Sequence, residues 1–225
     1  MRGNQLKFEK KYSKKVTGMS EADFLLVSDP GFEGSSLLFN IASSFSDNVV
    51  WLAYEPPTMI ESILSSYDFR GELRIISSKQ YKDYNLVNIM NLNEVSISIS
   101  KAGENLGKFS LLFTIIPELL LIHGLEKTYL FMLNTIWKIH SQGGTVFALV
   151  TKGTQSLKDE LVIRRLFPYI LRLQKRLTEA GWDRFVVLES PIEDMTEEII
   201  QVDHTGYRID LPDKFKENII KTISH

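Results

Sequence analysis

The sequence contains no cysteine. A disulfide framework, a thiolate metal site and a cysteine nucleophile are therefore excluded. Histidine is sparse: His123, His140, His204 and His225 lie far apart and form no H-x-x-x-H or HExxH pair, so a histidine metal site has no support. No G-x-S-x-G nucleophile elbow is present. Long apolar runs are missing as well. The longest, around Leu111–His123, is interrupted by Thr114, Pro117 and Glu118, short of the about twenty residues that a membrane-spanning helix needs. The N-terminal residues are polar and lack the apolar centre of a secretory signal, so a cytoplasmic location is expected. A net charge of −2 argues against general affinity for nucleic acid, although a local basic patch remains open.

What is present suits a globular protein: 44% hydrophobic against 24% charged residues in a chain of 225. The expected organisation is a basic extension over residues 1–19 and a single α/β domain over 20–225. The extension carries Arg2, Lys7, Lys10, Lys11, Lys14 and Lys15 against Glu9. It reads either as a solvated leading helix or as an arm for an acidic partner.

The chain is organised around Phe24–Asn40. The apolar run Phe24–Val27 leads into Ser28, Asp29, Pro30, Gly31, Phe32, Glu33, Gly34, Ser35 and Ser36, followed by Leu37–Ala42, which reads as a helix. Strand, glycine-containing turn and helix form the frame of a phosphate-binding loop. Its template, G-x-x-x-x-G-K-S/T, uses glycines for the turn, a lysine for the β/γ-phosphates and a hydroxyl for Mg²⁺. Two registers fit. One puts Ser28 and Glu33 at the glycines, Gly34 at the lysine and Ser35 at the hydroxyl. The other puts Asp29 and Gly34 at the glycines, Ser35 at the lysine and Ser36 at the hydroxyl. Neither supplies a lysine, and each sets a carboxylate where it would repel phosphate. A plain strand-to-helix turn capped by Ser35 explains the same residues. The loop is thus either vestigial or merely structural.

Strands and helices alternate beyond it. Val49–Tyr54 is an apolar strand that stops at Glu55-Pro56-Pro57. Thr58–Tyr67 is predicted as a helix and Leu73–Ile76 as a strand; Tyr81–Asn91 as loop and short strand; Asn93–Asn105 as a helix capped by Asn91 or Asn93. Phe109–Ile115 is a strand with no carboxylate at its end. Leu119–Gly124 reads as an apolar loop, and Glu126–His140 as a helix with Tyr129, Leu133, Ile136, Trp137 and His140 on one face. Glycines 143 and 144 close it. Thr145–Val150 is a strand followed by Lys152, at the end of the sheet where ligands gather. Leu157–Ala180 is predicted as one long helix, kinked by Pro168, with Arg164, Arg165, Arg172, Lys175 and Arg176 along it. Asp183–Leu188 is a strand, Ile199–Asp203 and Tyr207–Leu211 pair as a hairpin, and Pro212–Ile223 is the last helix.

This order resembles that of the RecA superfamily. SDPGFEGSSLLFNIA looks like a worn Walker A loop. VVWLAYEPP is similar to the next strand of KaiC-like proteins, whose terminal glutamate Glu55 matches. IIPELLLIHGLEKTYLFMLNTIWKIHSQGGTVF resembles the segment after Walker B in archaeal KaiC-like proteins. The resemblance spans about residues 20–190 and points to a small archaeal family of unknown function. It implies a P-loop three-layer sandwich with a mainly parallel sheet and a C-terminal β-hairpin. It also implies ATP as ligand, assembly between subunits, and for Glu55 the role of orienting the attacking water. The missing lysine and the missing acid at the end of Phe109–Ile115 oppose catalysis, because phosphoryl transfer depends on positioning and charge neutralisation.

The leading expectation is a non-catalytic RecA/KaiC-like protein, a pseudo-ATPase with no cofactor and no metal. It would act on a protein or peptide partner or on a second copy of itself, through the apolar Ile115–Trp137 region. An atypical ATPase with Lys152 replacing the missing lysine, and a nucleic-acid binder using the Arg164–Arg176 stretch, are the alternatives.

Overall fold

The computed structural model describes residues 23–179, 181–189 and 198–217. The N-terminal extension over 1–19 and residues 218–223 of the helix expected from sequence lie outside the described residues. The strands are β1 (Phe24–Ser28), β2 (Asn48–Ala53), β3 (Glu72–Ser77), β4 (Asn85–Leu86), β5 (Phe109–Phe113), β6 (Gly144–Thr151), β7 (Tyr169–Thr178), β8 (Gly181–Glu189), β9 (Glu198–Thr205) and β10 (Arg208–Asp210). The helices are α1 (Glu33–Phe45), α2 (Pro57–Ser66), α3 (Leu92–Gly103), α4 (Ile116–Ser141) and α5 (Leu157–Arg164).

One sheet runs β10-β9-β8-β7-β1-β6-β5-β2-β3-β4. From β7 to β4 every neighbour is parallel. From β7 outward β8, β9 and β10 are antiparallel. The strand β1 is central, with Phe24 opposite Phe147 of β6 on one side and Tyr169 of β7 on the other. It is buried on both faces, which is why it reads as an unbroken apolar run. Its side chains alternate between two cores. Phe24 and Leu26 join α1 and α2, whereas Leu25 and Val27 join α3, α4 and α5. The expected three-layer sandwich with a C-terminal hairpin is the one found.

Several local expectations hold. Asn91 caps α3 by accepting from the N–H groups of Asn93 and Glu94. Gly143, at φ +84°, ends α4 in the left-handed conformation that glycine adopts without cost. Pro117 stands in the first turn of α4, where its missing N–H would go unused anyway, a start ten residues ahead of the Glu126 expected from the sequence.

Others need correction. Residues 157–180 are not one helix: α5 stops at Arg164 and β7 begins at Tyr169. Pro168 cannot continue a helix, and beyond it Ile170 and Leu171 pair with β1 and are buried in the two cores on either face of the sheet, Leu173 joining the core of Leu171. The apolar positions 171, 173 and 177 alternate with Arg172, Gln174 and Arg176, a strand period overshadowed by the helix-favouring composition. The segment Leu119–Gly124 is helix, not loop, and the break falls at Gly124, with φ +74°. Within α4 the buried face is Thr128, Phe131, Met132, Thr135, Ile136 and Ile139, so Trp137 turns outward from it while Tyr129 packs half-buried against the core. Finally, α1 starts at Glu33 with Phe32 as its cap and no side-chain capping bond, so Ser35 is not the cap.

Candidate functional site

The loop Ser28–Ser36 joins the C-terminal end of β1 to α1, at the edge of the sheet where open α/β folds bind ligands. Its two glycines are required by geometry. Gly31 has φ +135°, and a Cβ there would meet a Glu33 carboxylate oxygen at 2.5 Å. A Cβ on Gly34 would lie 2.3 Å from Ser28 Oγ and 2.9 Å from Leu149 Cδ1.

The two acidic residues of the loop part ways. Asp29 turns outward, with its carboxylate 3.4 Å from Lys152 Nζ, while Lys152 N–H donates to the Ser28 carbonyl at 2.8 Å. Glu33 turns inward and is 5% exposed. Its Oε1 lies 2.7 Å from Lys175 Nζ on β7 and 3.3 Å from an Arg184 nitrogen on β8. These cations face each other across the β7–β8 ladder, so the antiparallel pairing delivers both to one carboxylate. Burial pushes the Glu33 carboxyl up, but the hydrogen bond from Lys175, its own backbone N–H, the charge of Lys175 and Arg184 together hold it below the usual range.

On the other side of the first turn of α1, Ser35 Oγ donates to Glu55 Oε1 at 2.5 Å. Thr114 Oγ1, at the end of β5, donates to Glu55 Oε2 at 2.8 Å, and the Tyr54 N–H reaches the same oxygen at 3.0 Å. Trp51 Nε1 in turn donates to Thr114 Oγ1 at 3.2 Å. Burial pushes the Glu55 carboxyl above its usual range, against the hydrogen bonds that lower it. Thr114 thus follows directly on β5, at a strand end where the sequence has no carboxylate. Glu118, one turn into α4, is also raised by burial and by the charge of Glu55, and its Oε2 has no partner among the described residues. No group of three metal-ligating side chains occurs among the described residues.

The C-terminal hairpin closes the loop from above. The Phe32 ring packs 4.6 Å from that of Tyr207 and 5.8 Å from that of His204. Ser36 Oγ donates to the Tyr207 carbonyl. Asn40 Nδ2 donates to the Ile209 carbonyl at 2.5 Å, and the Ile209 N–H donates to Tyr67 Oη at 2.9 Å. Helix α1 is therefore enclosed between the sheet and β10, and eleven of its thirteen residues are buried.

Of the residues singled out from sequence, Ser35 and Glu55 meet directly, and Lys152 lies beside the loop. Lys175, Arg184, Thr114, His204 and Tyr207 complete the site without having been singled out for it. The alternation over 171–177 was the signal that would have moved Lys175 from a helix to a strand beside β1. The Arg164–Arg176 stretch is not one basic face: Arg164 and Arg172 both pair with Glu189 at 2.9 Å, and Lys175 with Glu33. Two further histidines among the described residues have structural partners. His140 pairs with Asp23 at 2.8 Å and His123 meets the Ile89 carbonyl.

No protein-family model matches the chain, and no curated protein matches its sequence. Its likeness to solved structures is clear. A KaiC-like protein from the hyperthermophilic archaeon Pyrococcus horikoshii superposes with a TM-score of 0.62 at 12% identity, covering 84% of this chain and 88% of that one. An uncharacterised protein from Pyrococcus horikoshii, solved in complex with an unknown peptide, superposes with a TM-score of 0.60 at 18% identity, covering 85% and 91%. At these identities the likeness establishes the fold: this chain has the RecA-type architecture of KaiC-like proteins.

Proposed function

We propose that this chain is a non-catalytic RecA/KaiC-like protein that works by binding a protein or peptide and has given up nucleotide chemistry. The observation that carries the reading is the closure of the loop by the chain itself, with Phe32 against Tyr207 and the Ser36 hydroxyl on the Tyr207 carbonyl. A nucleotide would have to displace the hairpin to reach the N–H groups of α1, and it would meet the Glu33 carboxylate there. Both hydroxyls that could hold Mg²⁺ are engaged, Ser35 by Glu55 and Ser36 by the Tyr207 carbonyl.

Two observations support a binding role. Leu130 and Trp137, seven residues apart on one face of α4, are 50% and 59% exposed, and apolar side chains so placed suit a partner surface. A structural neighbour, an uncharacterised protein, was solved in complex with an unknown peptide, which supports the reading.

Thermal unfolding with and without millimolar Mg-ATP or ADP tests the first half. No shift is expected, whereas a ligand at a hundred times its Kd would raise the midpoint by about 5–10 °C. Selection of peptides from a displayed library, repeated with Trp137→Ala, tests the second. Failure to enrich any sequence on the wild-type protein, together with a monomeric mass in solution, would remove the binding role.

The atypical-ATPase reading has one observation in its favour: Lys152 does lie beside the loop. It requires Mg²⁺-dependent hydrolysis that disappears in Glu55→Gln.

A further inference from the structure

Two half-buried cations and the start of a helix make a receptor for an oxyanion. In this chain the receptor is filled from within. The Glu33 carboxylate lies over Gly31, receives its own backbone N–H, and meets both Lys175 at 2.7 Å and Arg184 at 3.3 Å. Its side chain is 6% exposed, against 24% for Lys175 and 15% for Arg184. Among the described residues Arg184 Nε is buried without an acceptor, so Glu33 and the Trp182 carbonyl do not use all of the guanidinium's donors.

We propose that Glu33 is an intramolecular substitute for a phosphate group: its carboxylate occupies an oxyanion site built from Lys175, Arg184 and the first turn of α1, and holds the loop in a permanently loaded form. The proposal rests on the reading that nucleotide is no longer bound, and it explains how the loop stays ordered without one. An ordinary phosphate loop neutralises its ligand with a lysine inside the motif. Here the motif supplies the anion, and the β7–β8 ribbon supplies the cations. A loop of this kind makes partner binding independent of nucleotide.

Two further properties of the site follow. Removing the carboxylate leaves two close cations facing a helix N-terminus, an arrangement that favours any small oxyanion of suitable size. The emptied site lies beneath Phe32 and the hairpin, so inorganic phosphate or pyrophosphate fits its chemistry better than a bulky nucleotide.

The test is chemical rescue. Wild type, Glu33→Ala, Glu33→Gln and the double variant Glu33→Ala/Lys175→Ala are melted in sodium chloride, inorganic phosphate or pyrophosphate at matched ionic strength. Wild type should be indifferent to the anion. Glu33→Ala should melt lower in chloride and regain about 5 °C or more in pyrophosphate, and the double variant should regain little. Glu33→Gln, which keeps the shape of the side chain, carries the same comparison if Glu33→Ala does not fold. A Glu33 variant that responds to chloride and pyrophosphate alike overturns the proposal, because the cations then need only screening. Rescue undiminished in the double variant overturns it too, since the anion would be binding elsewhere. A rise of the wild type with Mg-ATP would overturn the loss of nucleotide binding itself. A silent wild type with an unresponsive Glu33 variant would overturn only the substitution of carboxylate for phosphate.

Discussion

Glu33 and Glu55 flank the first turn of α1 and have opposite chemistry. Glu33 meets two cations and is held ionised, whereas Glu55 meets hydroxyls and a backbone N–H and is pushed toward its protonated form. Glu33 is buried and Glu55 half-buried, so burial alone does not decide the charge. The partners decide it: full positive charges outweigh desolvation, and neutral donors do not. On the function proposed above, the two carboxyls would close a phosphate loop in different ways, Glu33 by filling an anion site and Glu55 by engaging the Ser35 hydroxyl.

The largest effect is expected at the ionic side. Glu33→Ala should cost about 2–4 kcal/mol in chemical denaturation, because it strands two half-buried cations. A loss below about 1 kcal/mol would show the cluster to behave like a surface ion pair. Gly34→Ala should follow at about 2 kcal/mol or more, since its Cβ would lie 2.3 Å from Ser28 Oγ, and Gly34→Ala combined with Ser28→Gly should recover part of the loss.

The pH dependence distinguishes the two carboxyls by sign. Glu33 is lowered in the fold from the ordinary 4.5, so its contribution is complete above that value and is lost as pH falls through the folded pKa. Glu55 is raised from 4.5, so the fold binds its proton more tightly than the unfolded chain does. Its contribution therefore falls as pH rises from 4.5 through the folded pKa. Urea midpoints between pH 3 and 8 should show Glu33→Gln flattening the acid limb and Glu55→Gln flattening the limb above pH 4.5. Identical profiles for the two variants would remove the distinction.

The smallest stability effects belong to the hydroxyls and the exposed face. Thr114→Val should cost about 1–2 kcal/mol, because Glu55 loses one donor and Trp51 loses an acceptor. Trp137→Ala should stay within about 0.5 kcal/mol of wild type and weaken partner binding instead. A large loss of stability there would mean that the side chain supports α4 rather than a partner.

Much of the site's position was legible in the sequence. Phe24–Val27 could be read as a buried strand because a strand covered on both faces needs no polar residues. The loop glycines and Ser35 followed from the strand-to-helix turn, and Glu55 from the resemblance of VVWLAYEPP to a strand of KaiC-like proteins. The cations were misread. Arg172, Lys175 and Arg176 sit in a segment whose composition suits a helix, and strand formation there depends on the open edge of β1, a partner almost 150 residues earlier in the chain.

The sequence by itself determined the layered α/β fold, the loop, and the lack of a lysine within it. Those features are local: apolar periodicity, turn residues and a missing side chain are all readable along the chain. Only the tertiary structure decided that Asp29 faces out while Glu33 faces in. It alone brought Lys175 and Arg184 to one carboxylate, and folded the C-terminal hairpin over the loop. Each of these depends on strands remote in sequence arriving side by side, and the energy that orients a buried charge comes from the groups that arrive, not from its neighbours in the chain.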